Sequence, residues 1–362
     1  MYQRKKTKKV KVGSISIGHS SDVIIQSMCN TKTFDVKNTV KQIHKLEDAG
    51  CEIVRVSVPD EASAKAIEKI KAKINIPLVA DIHFDYKLAL MAIERGIDKV
   101  RINPGNIGVE DNIRKVAIEC KKKKIPIRIG INSGSLSKKI LAKHNGKVTA
   151  QALYESAREN ILLLEKYNFH DIIVSIKSSD IITNINACKL FAEHYNYPMH
   201  LGITESGSVK AGNIKSSVGL GILLYEGLGN TIRVSLTGNP VEEIYSAKKI
   251  LQCLGLRKEG FDIISCPTCA RTNVDIEKIV SEVEEKIDNI KFNNYFVRKN
   301  KKYKIAIMGC VVNGPGEAKD ADIGIAGGDG VALLFKKGVP FKKVKVNKIV
   351  TELLKCIEMD LK

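Results

Sequence analysis

EIVRVSVPDEASAKAIEKIKAKINIPLVADI, residues 52–82, decides the fold. Its opening run, 52–58, is apolar and β-branched, with Val54, Val56 and Val58 on one parity and Ile53 ahead of Arg55 on the other, as expected of a strand. Pro59 and Asp60 break that run, SAKAIEKIKAKI reads as a helix, and PLVADI (77–82) is a second apolar run. Strand, helix and strand at this spacing make one parallel β-α-β unit. The same rhythm extends in both directions. VIIQSM (23–28) precedes it, and KVRIN (99–103), IPIRIGIN (125–132), DIIVSIK (171–177), MHLGIT (199–204) and TIRVSL (231–236) follow. Helix-like stretches such as DVKNTVKQIHKLEDAG, NIRKVAIECKKKK and AQALYESARENILLLEKY lie between them, the last with apolar residues at helical three-to-four spacing. Eight such units predict an α/β fold, a (β/α)8 TIM-type barrel. A doubly wound sheet competes, but no glycine-rich phosphate loop follows the first strand. VKVGSISIGHSSD, ahead of the first unit, reads as a hairpin closing the barrel floor.

After PVEEIYSAKKILQCLG (240–255) the rhythm stops. CPTC, a helix DIEKIVSEVEEKIDNI (275–290), a strand YKIAIMG, a Gly-rich stretch GIAGGDG, a strand VALLFKK and a final helix from 347 remain. These form a small α+β domain. The expected domains are 1–258, the barrel that binds substrate, and 259–362, with a short linker near 256–264.

Composition narrows the function. The chain has 362 residues with 44% hydrophobic and 27% charged side chains, the balance of a soluble globular protein. No apolar run approaches the roughly 20 residues needed to cross a bilayer, so no membrane span is expected. The basic start MYQRKKTKKVKV has no hydrophobic segment behind it and is not a secretory signal. Nine cysteines, an odd number, fit a reducing cytoplasm in which neighbouring cysteines bind metal rather than each other. The net charge of +19 suggests nucleic acid, yet much of it is scattered lysine, as in KKKK at 121–124. With no tryptophan and 5% aromatic residues there is little to stack on bases, and no nucleic-acid partner is expected.

One tripeptide recurs in the strands, an arginine between two β-branched residues. It occurs at Val54-Arg55-Val56, Val100-Arg101-Ile102, Ile127-Arg128-Ile129 and Ile232-Arg233-Val234. Neighbours in a strand face opposite ways, so aliphatic residues packed under the helices turn each arginine into the barrel. Lys177 at the end of the sixth run joins them. A single buried arginine is usually one half of an ion pair. Four on one parity exceed the acids that the strands supply, Asp81 and Glu205, and unpaired buried charge is costly. An external polyanion resolves the excess, and the guanidinium fork suits phosphate. RINPGNIG and INSGS add the amides Asn103 and Asn132 at strand ends, where barrel sites lie. Asp81 and His83 form a candidate acid/base pair. The expected ligand is a small phosphorylated or diphosphorylated molecule.

Cys266, Cys269, Cys310 and Glu317 stand as C-x2-C-x40-C-x6-E. The C-x2-C pair alone suits zinc, a redox dithiol or iron–sulfur. A structural zinc site would more naturally be closed by a fourth cysteine or a histidine. Three thiolates suit a cubane cluster with one iron left for another ligand. A carboxylate, a hard donor, holds that iron weakly enough to yield it to a substrate oxygen. Structural zinc beside a phosphate-binding barrel remains the alternative, and a metal-stabilised nucleic-acid-binding protein a more remote one.

QSMCNTKTFDV, IVRVSVP, PLVADIHFDY, RINPGNIG, PIRIGINSGSL, LGITESG, SVGLGILLYEGLGNTIRVSL, PVEEI, CPTCAR and GCVVNGPGEA together resemble the bacterial 4-hydroxy-3-methylbut-2-enyl diphosphate synthases of the non-mevalonate isoprenoid pathway, in their compact two-domain form. The resemblance implies reductive, two-electron ring opening of 2-C-methyl-D-erythritol 2,4-cyclodiphosphate with loss of water. It implies a [4Fe-4S] cluster on Cys266, Cys269, Cys310 and Glu317, with the diphosphate on Arg55, Arg101, Arg128, Lys177 and Arg233. His83, Asn103, Asn132 and Ser235 would complete the barrel site, with Asp81 and Glu205 as the nearest acids and Asn313 beside the cluster. It further implies a flavodoxin or ferredoxin electron donor. The family's homodimer has one subunit's cluster domain capping its partner's barrel. Two departures are small: Cys29 stands in place of threonine, and Ser133 and Ser206 in place of alanine.

Replacing Glu317 with alanine should leave iron and sulfide bound while turnover falls at least about 100-fold, the order for losing one group that acts at the reacting centre. Metal analysis beside an anaerobic rate assay checks this, and full activity in the variant would remove Glu317 from the mechanism.

Overall fold

In a computed structural model, residues 3–19, 22–103, 107–287, 302–310 and 318–361 are described. They belong to two compact units, Met1–Leu256 and Arg257–Lys362.

The first unit is the expected (β/α)8 barrel. Strands β3 (Ile24–Met28), β4 (Ile53–Ser57), β5 (Leu78–Asp81), β6 (Lys99–Ile102), β7 (Ile127–Asn132) and β8 (Ile172–Lys177) pair in parallel, each with the next. β10 (Thr231–Ile232) lies between β3 and β9 (His200–Leu201), again parallel. A parallel bridge from Val174 to Met199 closes the ring, with the Val174 amide donating to the Pro198 carbonyl at 2.9 Å. β9 and β10 are shorter than the apolar runs that contain them. The ladder stops at Gly202 and Arg233, where large polar side chains crowd the lumen.

Helices α1 (Val36–Ala49), α2 (Glu61–Lys71), α3 (Tyr86–Glu94), α4 (Glu110–Lys123), α5 (Lys138–Lys143), α6 (Ala150–Lys166), α7 (Ile181–His194), α8 (Val209–Tyr225) and α9 (Pro240–Cys253) follow the strands. Most start at a side chain that accepts a free first-turn N–H: Asp35, Asp60, Asp85, Thr149, Asp180, Ser208 and Asn239. Each such cap contributes about 1 kcal/mol. Val54, Val56, Val100, Ile102, Ile127, Ile129, Ile172 and Val174 pack outward in the core shared with these helices.

Inward parity is different. β1 (Val10–Val12) and β2 (Ile15–Ile17) form an antiparallel hairpin whose Val10, Val12 and Ile17 pack on Ile24, Ile53, Val79 and Ile173. These are first inward residues of four strands, so a dry apolar plug seals the amino-terminal end of the barrel. Everything polar inside must therefore face the carboxyl end.

The second unit has one mixed sheet, β11 (Phe261–Ser265), β12 (Tyr303–Met308), β13 (Ile323–Gly327), β14 (Val331–Lys336) and β15 (Val339–Lys345), in that spatial order. β11, β12 and β13 are parallel, whereas β14 and β15 run antiparallel to their neighbours. α10 (Ile276–Ile287) and α11 (Ile349–Leu361) cover one face through Ile279, Val283, Leu353 and Ile357 against Ile305 and Ile325. Three features depart from the sequence reading. Residues 261–265, read as linker, are an edge strand, weakly patterned because it is only half covered. The Gly-rich stretch GIAGGDG, not read as a strand, supplies Gly324 to Gly327 of β13, where a Cβ at Gly324 would stand 2.4 Å from the Phe335 ring. The lysines of 342–345 lie on the exposed edge strand β15. Of the helix read over 275–290, residues 288–290 lie outside the described residues.

Candidate active site

Arg55, Arg101 and Arg128 are buried on the inward parity of β4, β6 and β7, and Lys177 is buried at the end of β8. Arg233, just past β10, is half-buried. Asp81 on β5 accepts from Arg101 Nη1 at 3.0 Å and lies 3.7 Å from Arg55 Nε. Burial alone would raise the Asp81 carboxyl, but Arg55 and Arg101 outweigh it and hold it at about 2. Asp81 is thus favoured as a carboxylate, which orients Arg55 and Arg101. The Met28 sulfur sits between Arg55 Nη2, at 2.8 Å, and Arg233 Nη1, at 3.6 Å.

Arg101 Nη1 also lies 2.8 Å from His83 Nε2. A guanidinium can only donate, so Nε2 accepts and the imidazole proton resides on Nδ1. Partial burial lowers the His83 pKa, with Arg101 and Arg55 adding to the effect and Asp81 opposing it. His83 itself stands at the exposed rim.

Arg128 is 1% exposed, and its Nε and Nη1 have no hydrogen-bond partner among the described residues. No carboxylate there pairs with Arg128 or Lys177, whereas Asp81 serves Arg55 and Arg101. Burial pushes both unpaired cations well below their ordinary pKa, and neighbouring cations push further. Among the described residues the lumen therefore holds more cationic side chains than carboxylates.

Several residues that hold this site escaped the sequence reading. Glu243 of α9 is buried and takes four hydrogen bonds: Arg233 Nη2 at 3.2 Å and Leu236 N at 3.1 Å on Oε1, Arg233 Nε at 3.3 Å and Ser27 Oγ at 3.1 Å on Oε2. It fixes Arg233 and ties α9 to β3, which sit on either side of the β10 seam. It is a helix residue, so a count of acids on strands does not find it. Gly130 and Gly202 are inward positions left empty for cations. A Cβ would stand 2.4 Å from Arg101 Nε at the first and 2.5 Å from Lys177 Nζ at the second. Ser135 ties the Asn103 side chain to the backbone at Asn132: Asn103 Nδ2 donates to its Oγ at 3.2 Å, and that hydroxyl donates to the Asn132 main-chain carbonyl at 3.1 Å.

Ser235 is half-buried two residues beyond Arg233. Glu205 is exposed on the loop between β9 and α8 with φ of 54°, a left-handed backbone uncommon for glutamate. Nothing among the described residues joins it to the arginines. Cys29 is buried, and burial, with Cys51 adding, pushes its thiol up to about 12, so it is an inert packing group.

In the second unit Cys266 directly follows β11 and Cys310 stands two residues after β12, so these parallel neighbours bring both to one sheet edge. The Gly309 amide donates to Cys266 Sγ at 3.2 Å. The Asn273 amide donates to the Gly309 carbonyl at 2.9 Å, which ties the turn bearing Cys269 to the same edge. Cys269 is exposed, and a backbone hydrogen bond at Arg271 lowers its thiol pKa first of all. Among the described residues no three His, Cys, Asp or Glu side chains are gathered as a metal-holding group. Asn313 and Glu317 lie outside the described residues. The donor chemistry nonetheless fits an iron–sulfur cluster: thiols that follow the carboxyl ends of two adjacent strands and the turn between, with N–H groups aimed at the sulfurs of Cys266 and Cys269.

A plugged barrel whose lumen cations outnumber its carboxylates, followed by a thiol-bearing α+β unit, defines the class of protein as a two-unit TIM-type barrel protein. Residues 7–248 match the GcpE TIM-barrel domain and residues 262–359 the GcpE protein C-terminal domain, and the chain belongs to the GcpE family. It is 54% identical to the 4-hydroxy-3-methylbut-2-en-1-yl diphosphate synthase (flavodoxin) of Caldanaerobacter subterraneus subsp. tengcongensis, over 99% of this chain and 98% of that one. It is 56% identical to the protein of the same name from Clostridium perfringens, over 98% and 99% respectively. A dihydropteroate synthase from Stenotrophomonas maltophilia shares the barrel fold, with a TM-score of 0.51 at 14% identity over 68% of this chain and 98% of that one. Among the described residues no helix is long and apolar enough to cross a membrane.

Because Arg128 is buried without a counter-ion, Arg128→Met should move stability and binding in opposite directions. The melting temperature of the ligand-free protein should rise, since removing an unpaired buried charge is worth about 1–4 kcal/mol. Affinity for pyrophosphate should fall roughly 10- to 150-fold, the equivalent of one charge-assisted hydrogen bond of about 1.5–3 kcal/mol. Thermal melts and titration calorimetry check both, with unchanged iron content as the control.

Proposed function

We propose that this protein is the reductive synthase that opens 2-C-methyl-D-erythritol 2,4-cyclodiphosphate to 4-hydroxy-3-methylbut-2-enyl diphosphate. The observation that carries this reading is the set of lumen cations left without carboxylates, in a chain at least half identical over its whole length to enzymes named for that product. Two electrons and two protons enter. The bond from the tertiary carbon to its phosphate oxygen breaks, the neighbouring hydroxyl leaves as water, and a carbon–carbon double bond forms between the two carbons.

Arg55, Arg101, Arg128, Lys177 and Arg233 hold the two phosphate groups on both sides of the reaction. The phosphate oxygen released by ring opening gains charge, and preorganised cations favour that change. Asp81 and Glu243 keep Arg55, Arg101 and Arg233 aimed. Asn103 and Asn132, tied through Ser135, and Ser235 offer hydrogen bonds to the carbon skeleton's hydroxyls. His83 and Glu205 are the titratable groups at the rim from which a proton can reach the departing hydroxyl, and Arg101 fixes the proton of His83 on Nδ1. Glu205 must approach from its exposed loop.

Cys266, Cys269, Cys310 and Glu317 would hold a [4Fe-4S] cluster, which when bound supplies the two electrons one at a time. Asn313 lies beside it in sequence. A flavodoxin is the favoured donor, since the relatives' names carry it, with ferredoxin second. The protein works as a cytoplasmic homodimer, with the cluster-bearing unit of one chain serving its partner's barrel. Supporting the dimer, Ile214, Val218, Ile222 and Tyr225 form one stripe on α8 and are 39–63% exposed.

Protein purified without air should be brown, contain iron and sulfide, and convert the cyclic diphosphate with reduced flavodoxin. Colourless protein with stoichiometric zinc and no conversion would overturn the reading. Val218→Glu, which places a charge in the α8 stripe, should shift the dimer toward monomer by light scattering, and an undisturbed dimer would place the interface elsewhere.

A further inference from the structure

Beneath the arginines lies a second polar layer to which the proposed reaction gives no role. Lys99 occupies the inward parity of β6, two residues before Arg101, and is 0% exposed. Its ammonium lies 3.4 Å from the amide oxygen of Gln26 on β3. β6 and β3 are three places apart in the sheet, so this contact crosses the lumen. His200, at the head of β9, is also fully buried and pairs Nδ1 with Thr231 Oγ1 at 2.7 Å. His200 Nε2, Gln26 Nε2 and two Arg128 nitrogens have no partner among the described residues.

The charged groups that act on Lys99 are Arg128 of β7, Arg55 of β4 and Asp98 beside it, while Lys177 of β8 and Lys99 itself act on His200. Every nearby acid is already committed. Asp98 takes Lys71 Nζ and the Leu78 amide, Asp81 takes Arg55 and Arg101, and Glu243 takes Arg233. No carboxylate is left for Lys99 among the described residues.

We infer that Lys99 is a reserve cation of the anion site, neutral while the barrel is empty and protonated when the cyclic diphosphate enters. This rests on the functional reading above. An ammonium without a counter-ion in a dry, cation-rich lumen costs several kcal/mol, so the empty barrel favours the amine. Burial first, then Arg128 and Arg55, hold it far below the ordinary lysine range, against a weaker pull from Asp98. A dianion placed on the arginines cancels most of the local positive field and raises the affinity of Lys99 for a proton. Gln26 Oε1 already accepts from Lys99 in either state, so no rearrangement is required. Protonation adds a positive charge two residues below Arg101, the register partner of Arg128, a position from which it acts on the bound phosphates through the lumen. Lys99 is thus a positioning and charge-balancing residue and does not touch the reacting atoms.

The sign of the linkage follows. Lys99 has a low pKa in the free protein and a higher one in the complex, so between the two values binding takes up a proton. Affinity then falls as pH rises through that window, by up to about one log unit per pH unit for one proton. The ligand does not obscure this. Each phosphorus of the cyclic diphosphate carries one strongly acidic oxygen, and neither titrates near neutral pH.

The test is calorimetric titration of the anaerobic, cluster-loaded, unreduced protein with the cyclic diphosphate at a series of pH values up to the ordinary lysine range, each in two buffers of different ionisation heat. Wild type should take up about one proton per site, and Lys99→Met almost none. The variant should also flatten the pH dependence of affinity, which a merely structural role of Lys99 would leave unchanged. Binding by wild type with no buffer dependence overturns the inference and leaves the functional reading intact. Uptake that survives Lys99→Met but is lost in His200→Gln overturns the assignment to Lys99. Absence of any binding by wild type overturns both readings together. Lys99→Gln keeps a polar end at the same depth and serves if the methionine variant fails to fold.

Discussion

Like charges held together without enough counter-charge are the constraint on which this barrel rests. Among the described residues, Arg55, Arg101, Arg128, Lys177 and Arg233, with Lys99 beneath them, share the lumen with two carboxylates, Asp81 and Glu243. In water such a set would disperse, but the barrel wall prevents that. Each cation is fixed to a strand whose other face is locked under the helices by Val and Ile. The outward apolar core thus supplies the free energy that the inward set costs. The order of magnitude agrees, since fully burying one such aliphatic side chain contributes about 1.5–3 kcal/mol and more than a dozen line the strands' outer faces.

The same constraint accounts for details that look unrelated. Residues 130 and 202 are glycine because a side chain there would occupy the space of a guanidinium or an ammonium. The floor is a dry hairpin plug, so water cannot enter from below to solvate the cations. Asp81 is shared between two arginines instead of neutralising one. A full complement of acids would have made a more stable barrel with no need of a ligand. This is the usual relation between stability and function, in which a site keeps an interaction unsatisfied until its ligand arrives.

Much of this was legible in the sequence because strand parity is a strict rule. Arg55, Arg101, Arg128 and Arg233 each sit between two β-branched residues, and a period of two leaves them one direction to face. The barrel could be counted for the same reason, with runs covered on both sides recurring at β-α-β spacing. What escaped was set by three-dimensional neighbours. Glu243 reaches the site from a helix, and only the approach of α9 to β3 and β10 reveals it. Gly130 and Gly202 are defined by side chains on other strands. Lys99 shares the KVRIN run with Arg101 but reads as the polar end of a strand unless its depth in the barrel is known. In the second unit β11 has an alternation too weak to register because one side of it is open, and GIAGGDG does not read as a strand unless Phe335 is known to lie across it.

The division into two units follows from chemistry that one environment could not serve. The lumen must be cationic and closed at one end to hold a dianion, which would also favour deprotonated thiols and expose them to the substrate at all times. The cysteines instead sit on turns at the open edge of a separate sheet, where backbone amides and not side-chain cations favour sulfur anions. An N–H dipole contributes less than a full charge but adds no counter-ion that would compete for the phosphates. In the proposed function this leaves the arginines to the substrate and the sulfurs to the cluster. A reaction that adds electrons to a bound dianion gains from this separation, because each unit can be tuned without disturbing the charge of the other.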